Sequence, residues 1–199
     1  FKDQVVFEKS DVVKKDGDPY VVYTPYKNTW LERFQEEHKD ADGLRIYYTS
    51  SVIENCIQNS RLPNLTLSDM GFTKSSIEIP EYDVTPTTIE EYEKTRNFPA
   101  KDGTTRLGVY LRFGVVSPRK MVKKGMQSNN KVFLSELIWR EFFMQILFHF
   151  PHTTDNAFRA KYDRIEWRNN EEEFEKWKTG TTGYKLVDAG MRELNTTGY

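Results

Sequence analysis

The stretch FLSELIWREFF, Phe133 to Phe143, sets Glu136, Trp139 and Arg140 three and four residues apart. Residues at that spacing share one face of an α-helix. A carboxylate, a flat aromatic and a fixed cation would then stand side by side, a set able to hydrogen-bond, stack on and charge-pair with a planar polar ligand. The same spacing also describes an ordinary Glu136–Arg140 pair one helical turn apart, with Trp139 in the core. Spacing alone leaves both readings open.

A second candidate is Gly103-Thr104-Thr105-Arg106-Leu107-Gly108. It follows a loop and opens a helix, placing hydroxyls and backbone N–H groups at a positive helix end that suits a pyrophosphate. Alone this is a common kind of helix cap. Nine cations lie between Lys94 and Lys124 (Lys94, Arg96, Lys101, Arg106, Arg112, Arg119, Lys120, Lys123 and Lys124) against the single acid Asp102. They make either a local basic surface or a solvated face balanced by neighbours. His38, His149 and His152 show no metal-ligand spacing, and no P-loop or Ser-His-Asp set occurs. Trp30 and Trp177 read as core residues, and Trp167 as an aromatic flanking a helix.

The elements that must position these residues fall into three stretches. Residues 5–24 read as β structure, with Val5-Val6-Phe7 and Tyr20-Val21-Val22-Tyr23 flanking a turn at Lys15 to Pro19. Thr24 and Pro25 then cap and open a helix that sets Tyr26, Trp30, Leu31 and Phe34 on one face. Residues 39–83 hold no period and read as a linker between two bodies. From Thr85 the chain reads as helices: one opened by Thr85-Pro86, a short one over Leu107 to Phe113, one capped by Ser117-Pro118, a long one over Lys131 to Phe150, and two more near Glu171 to Lys178 and Lys185 to Asn195. The last 115 residues are expected to be all-α.

Composition bounds the rest. The 199 residues carry a formal net charge of −1, with 37% hydrophobic and 30% charged residues. No apolar run approaches the ~20 residues of a membrane helix. A lone cysteine, Cys56, excludes an internal disulfide and fits a reducing, cytoplasmic setting. The Asn64 and Asn195 triplets match a glycosylation pattern that means little in such a setting.

In order and spacing, YTPYKNTW from Tyr23, YEKTRNFPA from Tyr92, GTTRLGVYLRFGVVSPR from Gly103, LIWREFF from Leu137 and TGYKLVDAGMRELNTTGY from Thr182 resemble the DNA photolyase/cryptochrome family. The likeness is to class I cyclobutane pyrimidine dimer members in particular and covers nearly the whole chain. It implies a mainly α fold: the N-terminal half of an FAD-binding helical domain, preceded by a β-hairpin and helix remnant of an α/β antenna domain and a long linker. The implied boundaries are residues 1–38, 39–84 and 85–199. Both ends of the chain are expected to be cuts through a longer protein.

Carried over by the resemblance, Tyr92, Thr104, Thr105, Arg106, Leu107, Gly108, Phe133, Glu136 and Arg140 stand at FAD positions. Gly108 replaces a serine found in many members, and Phe133 replaces a tryptophan. Glu136 corresponds to a carboxylate on the lesion's base edge, and Trp139 to a ring packing on a base flipped out of the duplex, a step for which photolyases are a standing example. Arg96 corresponds to a DNA-backbone contact, with Arg140 beside the same surface. Trp167 corresponds to the outermost member of a tryptophan chain that photoreduces the flavin.

The implied activity is light-driven repair of cyclobutane dimers by electron transfer from reduced FAD, on UV-damaged DNA. The protein would be a cytoplasmic monomer with no membrane or metal. Whether the parent carries an antenna chromophore, and which, is left open. A cryptochrome-type blue-light receptor is the alternative, disfavoured by Glu136 beside Trp139, and an inert helical body is a third reading. The 199-residue chain itself is expected to bind FAD poorly, because half of the implied pocket should lie past Tyr199.

Overall fold

The computed structural model describes residues 4–46, 53–55 and 65–198. Cys56 and Asn64 lie outside them. The described residues form two compact units, one from residues 4–45 and 81–169, the other from the described parts of 46–80 and 170–198.

The first unit holds α1 (Tyr23–His38), α2 (Pro86–Thr95), α3 (Gly108–Arg112), α4 (Pro118–Gln127) and α5 (Lys131–His149). Local chemistry accounts for most of these boundaries. Thr85 accepts from Thr88 N and Pro86 takes the first helical position of α2, where its missing N–H costs nothing. Ser117 and Pro118 repeat the device for α4. Asn130 caps α5 by accepting from Val132 N at 2.9 Å. The start of α1 differs from expectation: the helix begins at Tyr23, the preceding Val22 makes no side-chain cap, and Thr24 and Pro25 fall inside the first turn.

Helix α5 is the wall shared by two cores. Leu134, Ile138 and Phe142 enter a cluster with Tyr26, Trp30 and Phe34 of α1. Phe133 enters another with Ile89, Leu107, Leu111, Val116 and Met121. Leu137 packs against both. Gly125 lets α4 approach closely, since a Cβ there would meet Leu134 Cβ at 3.2 Å.

The expected β-hairpin contracts to one antiparallel bridge, Val13 with Pro19. The turn between them forms as read, with Gly17 at φ 90°. Val5-Val6-Phe7 joins no ladder because side chains satisfy its backbone. Glu141 accepts from Val6 N at 2.7 Å and Phe7 N at 3.1 Å. Arg140, Arg119, Gln145 and His149 hydrogen-bond the carbonyls of Gln4, Val6, Glu8 and Lys9. A buried backbone must find partners, and here α4 and α5 supply them.

The second unit packs α6 (Glu171–Thr179) on α7 (Lys185–Thr197). Each ends on a left-handed glycine, Gly180 and Gly198, the usual helix stop. Asp188 fixes the turn before α7 by accepting from Thr182 N, Thr182 Oγ1 and Gly183 N.

Candidate nucleic-acid and flavin site

Helix α5 presents Glu136 and Trp139 together, as their spacing requires, but the Glu136–Arg140 pair does not form. Glu136 instead pairs with Arg96, just past the end of α2. Both side chains keep about a third of their surface exposed, 33% for Arg96 and 38% for Glu136. The Glu136 carboxylate raises the Arg96 pKa further, through its hydrogen bond first. Arg140 turns the other way and donates to Gln4 O at 2.7 Å, Gln4 Oε1 at 3.2 Å and Leu111 O at 3.4 Å. Burial pulls its guanidinium below its ordinary value, partly offset by the neighbouring Glu141. Arg140 therefore joins the N-terminal segment to α3 and α5.

Trp139 is half-buried, and its partners define its pose. The ring of Tyr23 lies against it at 3.5 Å between centroids and 9° between planes. Phe142 meets it edge-on at 5.6 Å, and Phe143 lies at 5.4 Å and 24°. The Tyr23 hydroxyl donates to Ser135 O at 2.8 Å and lies 2.6 Å from Ser135 Oγ. Burial raises the Tyr23 pKa.

On the other side of α5, Tyr92 of α2 meets Phe133 edge-on at 5.8 Å. Phe133, Leu107 and Thr105 are buried, whereas Gly108 is exposed and Thr104 half-buried. Gly103 is fixed in place because a Cβ would strike the Thr95 side chain at 2.4 Å; Thr95 Oγ1 also donates to Gly103 O at 2.6 Å. Arg106 adopts a left-handed φ of 50° and pairs with Asp102 at 3.0 Å.

These residues test the pyrophosphate reading of the Gly103 loop. Helix α3 is only five residues long, so the field at its N-terminus is small. The adjacent cavity, about 120 Å³, is lined by Glu81, Asp83, Thr88, Asp102, Thr104 and Arg106. Three carboxylates oppose one cation there, and cofactor pockets run to ~300–1,000 Å³. The loop offers hydroxyls and an arginine suited to a phosphate, yet the described residues of the first unit do not enclose a dinucleotide.

The basic stretch is largely balanced. Lys94 pairs with Glu91, Arg106 with Asp102 and Lys123 with Asp42. Arg119 and Lys124 donate to the carbonyls of Val6 and Val84. Arg112, Lys120 and Lys101 remain exposed, with Lys101 over the Phe98 ring. Trp167 is 72% exposed and stacks on no ring among the described residues. Trp30 is fully buried, as expected, while Trp177 is 45% exposed beside Phe174. Among the described residues no group of His, Cys, Asp or Glu could hold a metal, and no helix is long and apolar enough to cross a membrane.

Sequence reading missed Glu141. The residue is 4% exposed, and its carboxylate accepts from Val6 N, Phe7 N and, at 2.9 Å, Trp30 Nε1. Burial pushes its pKa up, against the pull of these donors and of Arg119. The available signal was a polar pair, Glu141 and Gln145, on the face that carries Leu134 and Ile138.

The family model described as the FAD binding domain of DNA photolyase matches residues 133–199. The deoxyribodipyrimidine photo-lyase of Escherichia coli (strain K12) is 31% identical over 220 residues, covering 100% of this chain and 45% of that protein. That of Agrobacterium fabrum is 34% identical over 210 residues, covering 98% and 44%. A crystal structure described as a bacterial class III photolyase from Agrobacterium tumefaciens superposes with a TM-score of 0.72 at 28% identity, over 98% of this chain and 44% of the other. The chain thus spans a little under half the length of the curated relatives it matches. In sequence along nearly all its length, and in the course of its backbone, the chain is similar to DNA photolyases over a little under half of their length.

Proposed function

We propose that the full-length protein carrying this chain is an FAD-dependent deoxyribodipyrimidine photolyase that uses light to split cyclobutane pyrimidine dimers in UV-damaged DNA. The observation that carries this reading is the placement of Glu136 and Trp139 together on α5, with Arg96 held on Glu136. The relatives named as photo-lyases along the whole chain support it.

In this reading a DNA phosphate takes Arg96 as its partner, positioning the backbone without reading sequence. Glu136 is then released to hydrogen-bond the edge of a flipped base. Trp139 supplies a flat surface on which that base packs, worth about 1–3 kcal/mol. FAD, when bound, supplies the electron that opens the dimer. Tyr92, Thr104, Thr105, Arg106, Leu107, Gly108 and Phe133 form the flavin-side wall, and Arg140 braces that wall against residue 4. Trp167, exposed, is the outer end of the route that reduces the flavin. Residues 1–38 close an antenna domain, residues 39–84 link, and residues 85–199 begin the helical domain. The protein acts as a monomer in the cytoplasm.

The test is a blue-light assay on the full-length, flavin-loaded protein with an oligonucleotide carrying one thymine dimer. Conversion to intact thymines under light, and none in the dark, is expected. No conversion in the light, with dimer binding intact, would contradict the reading.

A further inference from the structure

We propose that Tyr23 is a positioning residue for lesion recognition: its ring backs Trp139 and holds the indole in the orientation that receives a flipped base. The inference rests on the reading of Trp139 given above. The two rings are 9° from parallel with centroids 3.5 Å apart, closer than the ordinary 4.5–7 Å range of aromatic pairs. Tyr23 is the first residue of α1, whereas Trp139 lies in the middle of α5.

Stacking alone would let the pair slide. The Tyr23 hydroxyl prevents this by bonding Ser135 O and Ser135 Oγ, one turn before Trp139 on the same helix. Tyr23 therefore grips α5 at two points, the backbone at Ser135 and the indole face at Trp139. Phe142 packs against both rings, at 5.8 Å from Tyr23 and 5.6 Å from Trp139. The indole keeps part of its surface exposed, so the backing leaves room for a ligand. A ring that need not reorient on binding loses less freedom, which is how preorganisation raises affinity.

Because α1 is itself packed on α5 through Tyr26, Trp30 and Phe34, the backing ring sits on a rigid support. The consequence is a division of labour. Trp139 touches the base, and Tyr23 acts only through Trp139.

The experiment uses the full-length protein labelled with 5-fluorotryptophan, the Trp139 resonance being assigned by its loss in Trp139→Phe. In Tyr23→Leu the Trp139 fluorine signal is expected to shift and broaden. Affinity for a dimer-bearing oligonucleotide should fall about 2- to 10-fold, the value of one aromatic pair, with affinity for the undamaged oligonucleotide kept. Tyr23→Phe, which keeps the stacked ring but loses the Ser135 bonds, should give a smaller shift of the Trp139 signal and a smaller loss of dimer affinity than Tyr23→Leu. If Tyr23→Leu does not fold, Tyr23→Met replaces it. An unmoved Trp139 signal overturns the proposal, and so does an equal loss for damaged and undamaged DNA. Trp139→Ala separates the two levels of the argument: if it leaves dimer discrimination intact while Tyr23→Leu still moves the fluorine signal, the reading of Trp139 as the base platform is what has failed.

Discussion

Arg96 and Glu136, forty residues apart in sequence, meet as an ion pair between the end of α2 and the middle of α5. The two residues assigned by resemblance to the DNA backbone and to the lesion thus satisfy one another. A pair this exposed is worth about 0–1 kcal/mol. It holds both side chains in place and yields readily to a stronger partner such as a phosphate.

Glu136→Gln should accordingly change stability by no more than about 1 kcal/mol. It should leave binding of undamaged DNA intact and lower the yield of dimer splitting. Urea unfolding and a repair assay on the same preparation check both parts.

Arg96→Ala should weaken damaged and undamaged DNA alike and reduce the slope of log affinity against log salt by about 0.9, the contribution of one phosphate contact. A loss confined to damaged DNA would mean that Arg96 addresses the lesion and not the backbone.

Glu141→Gln should be the most destabilising of these changes, by about 2–4 kcal/mol. Three N–H donors converge on the carboxylate, and an amide turns one of its two heads into a donor facing donors. The midpoint of urea unfolding measures this.

Asp188 should titrate below the ordinary Asp value of about 3.9. Hydrogen bonds from Thr182 and Gly183 favour its charged form, the Thr182 hydroxyl first. A depressed folded-state pKa contributes stability above the unfolded value, lost as pH falls through the folded one. Carboxyl-carbon NMR shifts should show the low midpoint, and Thr182→Ala should raise it.

What was legible in the sequence was what local chemistry decides. Thr85-Pro86 and Ser117-Pro118 mark helix starts through bonds within four residues, and α2 and α4 begin where those signals lie. Tyr26, Trp30 and Phe34 show their burial by spacing. The strand at Val5 to Phe7 was misread because β propensity depends on what lies alongside. There the neighbour is Glu141, more than 130 residues away. The partner of Glu136 was hidden likewise, since Arg140 is nearer in sequence but is drawn off by Gln4 and Leu111. The Tyr23–Trp139 stack depends on α1 packing against α5, which no local pattern encodes.

The central claim, that the Trp139 face of α5 receives a flipped pyrimidine dimer, is tested most directly by comparing affinities of full-length Trp139→Ala for dimer-bearing and undamaged oligonucleotides. A loss of about 1–3 kcal/mol is expected for the dimer-bearing strand, with little change for the undamaged one. Equal losses for both would contradict it and make Trp139 a packing residue only.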